Sequence, residues 1–273
     1  ADVSPSSFLT LVKKGILETY DREVSRMSGY EDELSDGGQL SAEQQRAFSE
    51  INACFSDKNV ALLHGITGSG KTRIYVELIR NVMAQGGQVL YLLPEIALTT
   101  QLVGRLQRIF GSEIVVYHSK INYNERVEVW RSAVAGKPVI MSARSGLFLP
   151  FRNLQLIIVD EEHDASFKQY DPAPRYNARD TAIYLAHLYG AKVLLGTATP
   201  AIETWHNAHV GKYGLVQLNE RYGGLQLPEF IPVDLREQHQ KRLMQSIFST
   251  PLLDGLQAAL DNGEQAILFQ NRR

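Results

Sequence analysis

GITGSGKT, Gly65 to Thr72, lies between an apolar run, Val60 to Leu63, and a segment of helical spacing, Arg73 to Gln85. It fills every fixed position of the pattern G-x-x-x-x-G-K-[ST], in the strand, loop and helix setting that the pattern demands. The residue types have a physical purpose. Gly65, Gly68 and Gly70 free the backbone to turn successive N–H groups inward onto an anion. The helix starting near Gly70 adds its positive end to the same spot. Lys71 brings a charge to the β and γ phosphates, and the Thr72 hydroxyl is a hard oxygen ligand for Mg²⁺. With Thr67 and Ser69 between them, these residues form a candidate phosphate-binding loop, which does not by itself say which nucleoside triphosphatase this is. A glycine turn without a ligand would leave the agreement of so many positions unexplained.

Outward from the loop, extended apolar runs alternate with helical spacing. The runs are Val60 to Leu63, Val89 to Leu93, Ile114 to Tyr117, Val139 to Met141, Leu156 to Val159 and Val193 to Leu195. Between the first two, Ile74, Tyr75, Leu78, Ile79, Val82 and Met83 form one stripe, and Gly86-Gly87 closes the helix. Leu102, Val103, Leu106, Ile109 and Phe110 repeat the stripe. Strands apolar on every residue have no solvent side, as a parallel sheet covered on both faces requires. The expected fold is therefore α/β, doubly wound and mainly parallel, with ligands at the carboxyl ends of the strands.

Two further strand ends carry chemistry. Leu156 to Val159 runs into Asp160-Glu161-Glu162-His163. Metal-assisted phosphate hydrolysis needs paired carboxylates of this kind, Asp160 to hold Mg²⁺ with Thr72 and Glu161 to polarise the attacking water. Acidic residues also end ordinary strands at solvated edges, so the phosphate loop in the same sheet decides in favour of catalysis. Leu195 leads into Gly196-Thr197-Ala198-Thr199-Pro200, where Thr197 and Thr199 are placed to sense nucleotide state together with His163, unless that histidine is merely a packed or solvated residue. A plain turn with Pro200 opening the next helix explains that stretch alone equally well.

Directly after the carboxylates, Ser166 to Arg179 interleaves Phe167, Tyr170 and Tyr176 with Lys168, Arg175 and Arg179. Aromatic faces that stack on bases and cations that follow phosphates are the means of gripping single-stranded nucleic acid. A surface loop whose aromatics pack around Pro172 and Pro174 is the alternative. Arg144 and Ser145, at another strand end, suit a phosphate backbone, with an ordinary solvated arginine as the alternative. Upstream, Leu40-Ser41-Ala42-Glu43-Gln44 opens a helix in which Gln44, or its neighbour Gln45, is positioned to read adenine, unless it simply caps the helix start.

The rest of the chain sets limits. With 273 residues, 44% apolar and 21% charged, it is long enough for one large domain or two ordinary ones. A formal charge of −2 rules out an all-over polycation, so a nucleic acid must be held by local patches. The single cysteine, Cys54, allows no intrachain disulfide and no multi-cysteine metal site, which suits a reducing cytoplasm. No apolar run reaches the roughly 18 residues of a membrane span, and no membrane partner is expected. Residues 4–24 read as a helix, with Ser4 at its cap and Pro5 at its first position, and then a strand. They are expected to be a helix-strand remnant of an upstream domain (1–27), followed by an acidic, Gly-rich linker (28–39). A first lobe spans 40–230. The helix Leu252 to Asp261 and the strand Ala266 to Phe269 open a second, cut short within 231–273. The chain begins without Met and stops directly after that strand, as expected of a piece of a longer protein.

GITGSGKT, DEEH (160–163) and GTATP (196–200), in this order, resemble motifs I, II and III of the superfamily 2 helicases. LPEIALTTQ (93–101), ARSGLFLPF (143–151), DEEHDASFKQYDPAPRYNARD (160–180) and ILFQNRR (267–273) narrow the resemblance to bacterial primosomal replication-restart DNA helicases of the PriA type, over residues 40–273. The sequence departs from that family at Ser142-Ala143, where Gly-Thr is common, and at Gly146, where Ala is common. Arg144, Ser145 and Phe148 are the positions carried over. The resemblance implies a RecA-like lobe of an ATP- and Mg²⁺-dependent 3′-to-5′ DNA motor in the bacterial cytoplasm, associated with the nucleoid. Single-stranded and forked DNA, primosome proteins and single-strand-binding protein are its implied partners. It further implies an upstream winged-helix domain, zinc-binding cysteines beyond Arg273, and γ-phosphate arginines on the second lobe. The isolated chain should then bind nucleotide and hydrolyse almost none.

Other functions share parts of this pattern. A nucleotide switch or small-molecule kinase has the loop but predicts neither GTATP nor the aromatic-basic segment, and the chain has no N-K-x-D signature. An RNA helicase of the same superfamily differs only in the longer strings. An inactive binding module is at odds with intact Lys71, Thr72, Asp160 and Glu161.

Overall fold

The structure, a computed structural model, describes Lys14 and residues 39–94, 101–118, 121–221 and 229–270. The expected N-terminal helix and strand, nearly all of the 28–39 linker, and positions 95–100 of the LPEIALTTQ string lie outside these residues. The chain divides into two compact units, Ala1–Gly224 and Leu225–Arg273.

In the first unit, seven strands form one wholly parallel sheet in the order β3-β4-β2-β5-β6-β1-β7. They are β1 (Val60–Gly65), β2 (Gln88–Leu92), β3 (Ile114–Tyr117), β4 (Val139–Ser142), β5 (Leu154–Asp160), β6 (Lys192–Thr197) and β7 (Gly214–Leu218). Successive side chains of a strand point to opposite faces, and both faces are covered. Ala61, Leu63, Tyr91 and Ile158 pack with Ala47 and Ile51 of α1 (Ala42–Asp57), Ile74, Tyr75 and Ile79 of α2 (Lys71–Ala84), and Leu106 of α3 (Gln101–Phe110). On the other face Leu62, Leu92, Ile157 and Val159 pack with Val129 and Ala133 of α4 (Tyr123–Val134), Ala178, Ala182 and Ala186 of α5 (Ala178–Tyr189), and Ala208 of α6 (Ile202–His209). The small alanines let α5 lie close to the strands.

Six strands fall where the apolar runs predict them. The seventh, β7, was not expected, because its alternating exposure marks an edge strand rather than a doubly covered one. It pairs with β1 from Ala61↔Gly214 to Gly65↔Leu218. A Cβ on Gly214 would stand 2.6 Å from the Cys54 sulfur, so Gly214 lets α1 lie flat on this edge.

The second unit holds α7 (Leu235–Gln240), a two-residue hairpin of β8 (Met244–Gln245) and β9 (Phe248–Ser249), and α8 (Thr250–Asp261), which Pro251 opens in its first turn. The expected helix is present. The expected strand Ala266 to Phe269 is not, since residues 264–270 have no regular structure and Phe269 is 90% exposed. A strand exists through its ladder, and among the described residues no neighbour pairs with this run.

Candidate functional site

Strand order brings the three motifs together. β6 lies between β1 and β5, with His64 level with Thr197 and Asp160 level with Gly196. The loop after β1, the carboxylates ending β5 and the threonines ending β6 therefore share one carboxyl edge, as the doubly wound architecture predicts.

In the loop, Gly68 and Gly70 have φ of 80° and 82°, the left-handed region. Gly65 does not; it is needed for space, because a Cβ there would stand 2.9 Å from Ser69 Oγ and 3.1 Å from Lys71 Cγ. Thr67 is exposed, and Thr72 lies half-buried in the first turn of α2. Lys71 Nζ donates to the Gly65 carbonyl at 2.8 Å, folding its charge back over the loop. Ser69 Oγ is buried without a hydrogen-bond partner. A buried hydroxyl left over within a glycine cradle, beside an ammonium, fits a phosphate group.

Gln44 completes the loop from behind. Its Oε1 accepts from Ser41 N and its Nε2 donates to the Ser69 carbonyl at 3.3 Å. Ser41 and Gln44 thus form a reciprocal cap of α1. The Gln44 amide is buried against the loop, whereas Gln45 is exposed. The capped helix start is what the geometry presents, and the amide it buries braces the phosphate loop.

The four residues DEEH point four ways. Asp160 accepts from the hydroxyls of Tyr75 and Tyr91. Burial above all, and then Glu161 beside it, raise its pKa from 3.8 to about 6, against the opposing pull of Lys71 and the two tyrosines. Glu161 has φ of 49°, a left-handed backbone that costs a residue with a Cβ about 1–2 kcal/mol, and it turns the chain sharply off β5. Its carboxylate is part-exposed, 3.6 Å from His163 Nδ1. Glu162 is buried and bound to Arg179 Nη1 at 3.1 Å, Thr204 Oγ1 at 2.9 Å and Ala201 N at 2.8 Å. His163 lies 2.7 Å from Thr197 Oγ1 and 3.4 Å from Thr199 Oγ1. A polar chain thus links the carboxylates to the GTATP threonines.

The aromatic-basic segment contains two corrections: Arg179 is buried and paired with Glu162, so it does not follow a phosphate, and Phe167 is no stacking ring. Phe167 is 1% exposed and packs in the core, so it cannot stack on a base. Composition alone could not separate a core anchor from a stacking ring. Tyr170 is 69% exposed, Arg175 is exposed, and Tyr176 lies edge to face with exposed Phe148 at 5.2 Å. Lys168 Nζ donates to the Arg175 carbonyl at 2.7 Å, closing the segment on itself. Arg144 Nη1 donates at 3.1 Å to the carbonyls of both Ser166 and Lys168, and so binds this segment to the turn after β4. Arg144, Ser145, Gln169, Pro172 and Tyr176 line a cleft of about 470 Å³. Two of the departures at this turn, Ser142 and Gly146, are sterically one exchange. A Cβ on Gly146 would stand 2.4 Å from Ser142 Cβ, so the serine occupies the space that an alanine at 146 would need.

The sequence reading missed Tyr75, Tyr91 and Glu162 as members of this site. The tyrosines look like core stripe residues, and no spacing shows what a buried glutamate will meet.

A parallel sheet of this order, with a glycine loop ending one strand and a carboxylate ending the next but one, defines the lobe of a P-loop nucleoside triphosphatase. The model of the DEAD/DEAH box helicase family matches residues 41–208, and the chain belongs to that family. It is 40% identical over 279 residues to the Replication restart protein PriA of Bacillus subtilis, covering all of this chain and 34% of that protein. It is also 40% identical over 281 residues to the protein of that name from Haemophilus influenzae, covering 38% of it. The chain thus spans about a third of the length of these relatives. Among solved structures, RecG bound to a three-way DNA junction matches 69% of this chain and 25% of that chain with a TM-score of 0.50 at 22% identity, a likeness of fold.

Proposed function

We propose that this chain is the nucleotide-binding first lobe of an ATP-driven DNA motor that acts at branched replication forks during replication restart. The observation that carries the proposal is the meeting of the phosphate loop, Asp160-Glu161 and Thr197-Thr199 on one strand edge, with the aromatic-basic segment attached directly behind the carboxylates. Likeness to the replication restart proteins supports the biological setting; DNA as substrate and 3′-to-5′ movement are part of the proposal. Residues 40–230 constitute the lobe and 231–273 begin the next; 1–27 belong to an upstream domain and 28–39 join the two. Primosome and single-strand-binding proteins are its partners in the bacterial cytoplasm, and the zinc of this type of protein belongs to segments outside this chain.

In this proposal Gly65, Thr67, Gly68, Ser69, Gly70 and Lys71 hold the β and γ phosphates of ATP, with Gln44 bracing the loop. Thr72 and Asp160 would hold Mg²⁺, which draws charge from the phosphates when bound. Glu161 orients the attacking water and takes its proton as the γ-phosphate leaves ADP. Through His163, Thr197 and Thr199, that event reaches the other motif, and through Arg144 the DNA cleft moves with it. Arg144, Ser145, Lys168, Tyr170, Arg175 and Tyr176 contact the strand, and Phe167 anchors their loop.

The test is a DNA-dependent ATPase assay on the full-length protein with forked, single-stranded and duplex DNA and with RNA. Forked DNA is expected to stimulate most, and Lys71→Ala to abolish turnover while sparing DNA binding. The 273-residue chain should bind ADP and turn over almost nothing, because an arginine supplied by another lobe is worth about 10³–10⁵ in rate. Equal stimulation by RNA, or brisk hydrolysis by the chain alone, would refute the proposal.

A further inference from the structure

Tyr75, four residues after the loop lysine on α2, and Tyr91, on β2, are both fully buried. Their rings meet edge to face with centroids 5.7 Å apart. Tyr75 Oη donates to Asp160 Oδ1 at 3.0 Å, and Tyr91 Oη donates to Oδ2 at 3.2 Å. Each oxygen of the carboxylate is thus held by its own phenol from the apolar side. Phenylalanine would fill the same core volume without burying a hydroxyl, which has to be hydrogen-bonded to be tolerated there.

Space for one hydroxyl is made by a motif residue. A Cβ on Gly196 would stand 1.8 Å from Tyr75 Oη. The glycine of GTATP, level with Asp160 in the sheet, therefore admits the phenol to the carboxylate. Oδ1 also accepts from the Glu161 backbone N–H at 3.2 Å, while the Glu161 charge repels that of Asp160 and Lys71 attracts it.

We infer that Tyr75 and Tyr91 are positioning residues for Asp160, fixing the carboxylate's plane and supporting its charge for Mg²⁺-bound nucleotide, and that Gly196 is small in order to admit the Tyr75 hydroxyl. This rests on the proposal that the phosphate loop and Asp160 hold Mg²⁺-nucleotide. Hydrogen bonds to a metal-binding carboxylate set its direction and basicity, and their removal typically lowers metal affinity by about 10–100-fold.

The experiment uses the 273-residue chain and a fluorescent ADP, titrated in EDTA and in Mg²⁺, with Tyr75→Phe, Tyr91→Phe and Gly196→Ala. The alanine variant keeps both hydroxyls but displaces one from Asp160, so it provides the test should a phenylalanine variant fail to fold. In EDTA the affinities should stay within about twofold of wild type, because the tyrosines touch no nucleotide-binding atom of the loop. The strengthening conferred by Mg²⁺ should fall roughly tenfold in each variant. Variants that keep the full Mg²⁺ gain, or that lose affinity equally with and without Mg²⁺, would overturn the inference while wild type behaves normally. A wild-type chain with no Mg²⁺ gain, or an Asp160→Asn chain that keeps it, would remove the underlying nucleotide site and this inference with it.

Discussion

Replacing Arg179 by alanine should cost the first unit about 3 kcal/mol, although Arg179 lies outside the three nucleotide motifs. The reason is Glu162, whose side chain is fully buried and whose charge faces Arg179 Nη1 at 3.1 Å. Removing one partner of a buried ion pair costs about 3–5 kcal/mol, because the remaining charge stays desolvated. The lower end applies here, since Thr204 Oγ1 and Ala201 N still donate to the glutamate. For a domain of this size a kilocalorie moves the melting temperature by about 2–4 °C, so a loss of roughly 6–12 °C is expected. Urea unfolding of the 273-residue chain measures the effect, and the double variant Glu162→Gln, Arg179→Met provides the control. With both charges gone, the double variant should recover most of the loss, as replaced buried pairs commonly do. A loss below about 1 kcal/mol for Arg179→Ala, or a double variant as unstable as the single one, would show that the pair does not tie α5 to the end of β5 energetically.

Phe167 and Tyr170 should separate cleanly. Phe167→Ala should destabilise by about 3–5 kcal/mol as a core truncation, whereas exposed Tyr170→Ala should leave stability within about 0.5 kcal/mol and weaken single-stranded DNA binding by about 1–3 kcal/mol, read by urea midpoints and fluorescence anisotropy. In EDTA and without nucleotide, Asp160→Asn should be more stable than wild type. The folded-state pKa of Asp160 is raised, from 3.8 to about 6, so its protonated form favours folding and that contribution is lost as pH rises through about 6. The gap between the two proteins should therefore widen by roughly 1–1.5 kcal/mol from pH 5 to pH 8; a gap that narrows would contradict the buried-carboxylate account.

Local chemistry made much of this site legible. A loop that wraps phosphate needs glycines and a lysine at fixed spacing, so GITGSGKT could be read without a neighbour in view. Strands apolar throughout carry their runs openly, and six were found in this way, five of them interior and the sixth β3 at one edge of the sheet. The edge strand Gly214–Leu218 was not, because one exposed side restores the alternation that a loop also shows. Expectation failed again at Ala266 to Phe269, where an apolar run has no ladder to join among the described residues. Phe167 shows the same limit within the site: its aromatic character was legible, and its burial was not.

The amino-acid sequence by itself determined the class of fold, the phosphate loop, the paired carboxylates and the threonine-rich strand end, because each is written in contiguous residues whose backbone or side chains act locally. Only the tertiary structure decided that β6 lies between β1 and β5, so that segments some ninety residues apart share one edge. It alone showed that Tyr75 and Tyr91 reach Asp160, that Glu162 meets Arg179, and that Gly146 makes room for Ser142. Such contacts depend on strand order and on which face a side chain enters, and both are set by long-range packing of the whole sheet rather than by any run of neighbouring residues.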